Sequence, residues 1–157
     1  MTKETTFARA SVRPLAALAV AGMIGHGLAM TITGPVLPTI MVAFGIRETA
    51  VGILLAAGSL GFMAGCLLGG LATDEFGLKP VITTAWLGVV ASLIGFALSS
   101  NYPLLLLTYA LIGVGSGLVE TGLNVLPAQI GGGAGMMNLV HMGYGVGALS
   151  APLVAGL

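Results

Sequence analysis

The sequence predicts an all-α integral membrane protein of about five transmembrane helices, and three observations carry that reading. Five Lys or Arg and five Asp or Glu make only 6% of the 157 residues charged, against roughly 25% in soluble domains. Hydrophobic residues make up 57%, and they gather into stretches of the length, about 20 residues, that a bilayer-spanning helix needs. The 26 glycines lie inside those apolar runs without a collagen-like period. That placement suits membrane helices, where small residues let backbones approach closely.

The spans follow in order. The first runs from about Pro14 to about Met41 and is interrupted by Gly34-Pro35 and Pro38. A signal peptide is the competing reading, since Lys3, Arg9 and Arg13 precede the run. The run outlasts the 7–15 residues of a signal-peptide core, and nothing soluble follows it. The second span runs from about Thr49 to about Thr73, the third from about Pro80 to about Ser99, and the fourth from about Pro103 to about Leu126. The last extends from about Gly135 to Leu157. Residues 1–13 read as a cytoplasmic tail and residues 14–157 as a partial bundle. Short connections at Gly45–Glu48, Asp74–Lys79, Ser100–Tyr102 and Gly131-Gly132-Gly133 make successive helices antiparallel neighbours.

Basic residues set the orientation. Lys3, Arg9, Arg13 and Lys79 fall on one side and Arg47 on the other, which predicts a cytoplasmic N-terminus; the expected location is a bacterial cytoplasmic (inner) membrane. The run ending at Leu157 has no charged stop, so the sequence reads as a truncated fragment whose remaining helices lie elsewhere.

Net charge is zero, which gives no footprint for nucleic acid. Cys66 is the single cysteine and sits in an apolar run, where packing is its expected role. No nucleophile stands beside a base, no ligand cluster announces a metal, and no cofactor is implied. The triple glycine lacks the Lys and Ser/Thr of a phosphate-binding loop. An enzyme is therefore not the expected reading.

Three ionisable residues lie within spans, where such groups are costly and mark function by default. Glu120 shares a helical stripe with Gly113, Gly117 and Asn124, since these positions fall within about 60° at 100° per residue. A carboxyl there cannot face lipid, and in a low dielectric it favours the protonated form, as suits a group that takes up and releases a proton. The structural alternative is a buried Glu paired with Asn124 or His141 to hold helices together. His141 shares a face with Asn138, Gly145 and Ala148, and its imidazole and the Asn amide suit hydroxyl-rich or amide ligands. His26, with Thr33 seven residues on, is expected to line the same cleft or to sit as a satisfied interior histidine.

Between the second and third spans the residues Gly70-Leu-Ala-Thr-Asp74-Glu75-Phe-Gly77-Leu-Lys79-Pro80 combine carboxylates, a turn glycine and a lysine at a membrane edge. Asp74 is expected to cap a nearby helix N-terminus or face its dipole. Gly70, Asp74, Gly77 and Lys79 resemble the Gly-x-x-x-Asp-x-x-Gly-x-Lys/Arg signature of the major facilitator superfamily. Glu75 and Leu78 depart from it at positions where basic residues are usual. The resemblance implies a gating loop, a bundle of two six-helix halves built from inverted repeats, and alternating access. The present chain would supply the N-terminal half as far as its fifth helix, its first three-helix repeat complete and its second lacking the last helix. Gly58, Gly61, Gly65 and Gly69 form a small-residue groove on the second span, for sliding or for packing.

Glu120-Thr121-x-x-Asn124 followed by Asn138-Leu-x-His141 is further similar to the fucose-permease branch. That resemblance implies Glu120 as the proton-linked acid, with Asn124, Asn138, His141 and His26 towards a small polar solute such as a sugar. Gly34 stands where that branch has an Asp in its first helix. The expected function is proton-coupled symport; drug or metabolite efflux and a non-transporting remnant are the alternatives.

Overall fold

The structure, a computed structural model, describes residues 4–156, with side chains from Arg13 onward. Lys3 and Leu157, used above for orientation and for the last span, lie outside the described residues, as does the Arg9 side chain. Six helices are present among the described residues: α1 (Glu4–Thr31), α2 (Thr33–Phe44), α3 (Glu48–Phe76), α4 (Leu78–Ala97), α5 (Tyr102–Gln129) and α6 (Gly133–Ala155). No strand occurs among the described residues. Among the described residues, four stretches are long and apolar enough to cross a membrane: Arg13–Phe44, Glu48–Phe76, Leu78–Ala97 and Tyr102–Gln129. Helix α6 has 23 residues, but Asn138, His141 and its glycines dilute its apolar character. The chain is an all-α membrane protein.

The first span is broken at Ile32, ahead of the Gly34-Pro35 pair expected to interrupt it. Pro35 has no N–H to offer the carbonyl of Thr31, four residues back, and its ring crowds that oxygen. The ladder therefore fails one turn before the proline, and Pro35 itself sits in the first turn of α2, where a missing N–H is harmless. Helix α5 opens at Asn101, whose Oδ1 accepts the Leu104 N–H at 3.0 Å, a side-chain N-cap. It closes at Gly131, where φ is +69°. There the Gly132 N–H donates to Pro127 O at 2.9 Å and the Gly131 N–H to Ala128 O at 3.2 Å, the paired bonds of a Schellman cap.

The helices group into two units. One contains α1, α6 and the end of α5 from Leu123. Its packing face on α6 is Val140, Gly143, Gly147 and Ala151, all buried, a spacing of three and four that lines one side of a helix. Gly143 lies against the Val20 carbonyl, Gly147 against that of Ile24, and Gly27 of α1 against that of Tyr144. The Thr31 hydroxyl donates to Gly27 O at 2.7 Å.

The other unit contains α2, α3, α4 and α5 up to Gly122. Buried Gly58, Gly61, Gly65 and Gly69 run down α3. Gly61 meets the Ala110 carbonyl and Gly65 that of Val114, while Gly113 and Gly117 of α5 meet the carbonyls of Gly58 and Phe62. The approach is backbone to backbone from both sides. On its other flank α5 receives α4, with Gly115 against Val89 and Gly122 against Ile82. One end of this unit is closed by Ile40, Leu54 and Leu105, packed with Phe44, Phe96 and Tyr109. The Tyr102 hydroxyl donates to Ala50 O at 2.7 Å across that end. Outward leucines such as Leu67 and Leu71, each 69% exposed, have the composition of a lipid-facing surface rather than a wet one.

Candidate functional site

The Asp74–Lys79 segment is tighter than a loop. Asp74 and Glu75 occupy the last turn of α3, Lys79 the first turn of α4, and Gly77 alone joins the helices. Gly77 has φ +84° and ψ 161°, a region open to glycine almost alone. Its N–H donates to Thr73 O at 3.0 Å. No side chain caps α4, so Asp74 does not serve there as the expected N-cap. Its backbone is helical, and side chains of a helix lean towards that helix's own N-terminus. Asp74, Glu75, Gly77 and Lys79 are exposed and Gly70 is half-buried.

Glu120 is half-buried on α5. The stripe it shares with Gly113 and Gly117 is divided in use, because α3 occupies the two glycines. Directly after it, the Thr121 hydroxyl donates to Gly117 O at 3.0 Å and lies 3.4 Å from Cys66 O on α3. A carboxyl is thus held at the edge of the closest helix contact in its unit.

In the other unit, His26 is 2% exposed and faces Tyr144, ring centroids 5.7 Å apart and planes inclined by 53°. Asn124 is half-buried. Asn138 and His141 are exposed one turn apart on α6, and His141 Nδ1 lies 2.9 Å from Met137 O. His26 and His141 therefore occupy different surroundings, one sealed against α1–α6 packing and one open.

Two residues escaped the sequence reading. Tyr144 meets His26, a pairing between helices distant in sequence that spacing along one helix does not reveal. Ser116 is fully buried, and its hydroxyl has no hydrogen-bond partner among the described residues. Its place four residues before Glu120 was a usable signal, masked by the glycines on both sides.

Bilayer-length apolar helices in backbone-close pairs define a multi-pass membrane protein. Residues 19–157 match the Major Facilitator Superfamily. The chain belongs to that family. Over 139 residues, 87% of the chain, it is 27% identical to Sodium-dependent glucose transporter 1A of Mus musculus, covering 33% of that protein. Sodium-dependent glucose transporter 1 of Homo sapiens is 27% identical over the same share of the chain, with 27% of its own length covered. Quinolone resistance protein NorA of Staphylococcus aureus is 31% identical over 107 residues, 68% of the chain and 26% of that protein. The chain spans about a third or less of the length of these curated relatives.

Proposed function

We propose that the chain is the N-terminal part of a secondary transporter that moves a small hydroxylated solute of the sugar class across a cell membrane by cation-coupled symport. The observation that carries this is Glu120, a carboxyl half-buried about two thirds of the way along a bilayer-length helix, where an ionisable group is costly unless used. The glucose-transporter names of the relatives over 87% of the chain support the solute class. Glu120 takes the coupling cation. We assign this as a proton; the sodium dependence in the relatives' names makes Na⁺ the alternative to test.

Asn124, Asn138, His141 and His26 are the solute-facing set in this reading, and Gly70, Asp74, Gly77 and Lys79 form the gating segment. Asp74 and Glu75 sit at the C-terminal end of α3, where the helix dipole disfavours carboxylates. Helix stability therefore gives no reason for them, and a latch against a further part of the transporter does. The basic residues orient the N-terminus to the cytoplasm of a bacterial inner membrane. The remaining helices of the transporter and the lipid bilayer are its partners.

The test is uptake of labelled D-glucose into proteoliposomes under an imposed proton or sodium gradient. It compares the chain alone, the chain with its downstream coding sequence, and the Glu120→Gln variant of each. Gradient-driven uptake that becomes gradient-independent in Glu120→Gln supports the reading, and the effective gradient names the cation. Drug efflux is the second reading, favoured by the 31% identity to NorA. Extrusion of a fluorescent quinolone with no sugar uptake would establish it in place of the first.

A further inference from the structure

We infer that His141 is a specificity-determining residue that accepts, through Nε2, a hydrogen bond from a hydroxyl of the solute. It thereby selects hydroxyl-bearing solutes over carboxylates and over analogues with no proton to give at that point. The inference rests on the reading that the exposed polar strip of α6 contacts the solute.

His141 Nδ1 lies 2.9 Å from Met137 O. A backbone carbonyl has only lone pairs, so the proton in this bond belongs to Nδ1. In a neutral imidazole the second nitrogen is then an acceptor and nothing else. The helix itself, through the carbonyl one turn back, fixes which hydrogen-bonding role the neutral His141 ring can offer outward.

The surroundings of α6 say where that acceptor points its chemistry. Val140, Gly143, Gly147 and Ala151 form the buried side. Met142, Val146, Leu149 and Leu153 form an exposed apolar side, between 56% and 79% accessible. Asn138, His141 and Gly145 lie between the two, within about 60° of one another on a regular helix. In a bilayer the leucine side takes the lipid, and a strip bearing Asn and His takes protein or a wet cavity. A Cβ on Gly145 would meet nothing within 4 Å, so there is open space one turn beyond the imidazole.

Asn138 cannot set polarity, because a carboxamide both donates and accepts. His141 can. A hydroxyl donates to Nε2 readily, whereas a carboxylate there would set lone pair against lone pair. An acceptor left unpaired by an analogue without the proton is what makes such a position discriminate.

Two measurements in lipid nanodiscs test this, the first on the 157-residue chain and the second on the chain joined to its downstream coding sequence. The first is long-range ¹⁵N–¹H correlation on ¹⁵N-histidine-labelled protein, with His141 assigned by its loss in His141→Gln. A protonated Nδ1 and bare Nε2 are expected, and the reverse tautomer overturns the inference whatever the solute. The second is binding of D-glucose and of derivatives in which one hydroxyl at a time is replaced by fluorine, which accepts weakly but cannot donate. One derivative should bind about tenfold more weakly than D-glucose. That difference should vanish in His141→Phe and persist in His141→Gln, whose amide oxygen reaches the place of Nε2.

D-glucose binding with equal discrimination in wild type and His141→Phe overturns the role of His141 while leaving the sugar reading standing. No binding of D-glucose by the wild-type chain joined to its downstream coding sequence overturns both. Thermal melting of each variant shows whether it is folded, and the tautomer measurement on the wild-type chain stands independently of either variant.

Discussion

Gly147 of α6 lies with its Cα against the carbonyl oxygen of Ile24 on α1, so close that a methyl group in its place would overlap that oxygen. The same relation holds between Gly61 of α3 and the carbonyl of Ala110 on α5. In both units, then, a helix pair is held at a separation that only the absence of a side chain allows. Gly147→Ala and Gly61→Ala should each lower stability by about 1–3 kcal/mol, the range for forcing an added methyl into a packed site. Gly145→Ala and Gly52→Ala, where a Cβ meets nothing within 4 Å, should be neutral or stabilising by up to about 1 kcal/mol. Thermal unfolding in detergent measures all four, and equal losses at packed and open positions would refute the close-contact account.

Gly77 makes a second test, of backbone rather than space. A Cβ there would also meet nothing within 4 Å, yet φ is +84° and ψ 161°. Gly77→Ala should therefore cost about 1–3 kcal/mol through strain alone. Gly70→Ala, in a regular helix with the same open space, should not. If the two behave alike in thermal unfolding, the positive φ is not what requires glycine.

Ser116 predicts an opposite sign. Its hydroxyl is fully buried and without a hydrogen-bond partner among the described residues. Replacing it by alanine removes a desolvated polar group, so Ser116→Ala should raise stability, by about 1 kcal/mol. A stabilised variant whose uptake is lost would mark the hydroxyl as one used during transport. A destabilised variant would mean that it has a structural partner after all.

At the closed end of its unit, Tyr102 offers a plain hydrogen-bond test. Tyr102→Phe keeps the ring in the Phe44–Phe96–Leu105 packing but removes the 2.7 Å bond to Ala50 O. A loss of about 1 kcal/mol is expected, and no loss would show that water replaces the bond at no cost.

The all-α membrane class was legible because bilayer length and apolar composition act on every residue of a stretch at once. The helix break at Ile32 was only approximately legible. Proline marks the disruption, but the group it deprives is the Thr31 carbonyl, so the break falls upstream. The stripe of Gly113, Gly117, Glu120 and Asn124 was readable as one side of a helix, but not for what each part meets. Glycine serves backbone packing and cavity walls alike, and periodicity carries no label for the partner. For the same reason the α3 glycine spacing suits sliding and packing alike; in the structure the groove is packed against α5. The Asp74 cap was misread because the backbone of α3 continues through that residue. His26 and Tyr144 needed the pairing of α1 with α6, which no local pattern encodes.

The single-residue link at Gly77 has a mechanical corollary. With one residue between them, the Cα atoms of Phe76 and Leu78 can be no more than about 7 Å apart however the chain is drawn out. Such a link has no slack. If α3 travels along its own length by more than a few ångströms, α4 is towed with it, while the tilt between them can still change by rotation about the two glycine torsions. The Gly45–Arg47 connection before α3 has three residues outside helix and can pay out more chain. Of the two ends of α3, the one bearing Asp74 is a swivel and the other a leash.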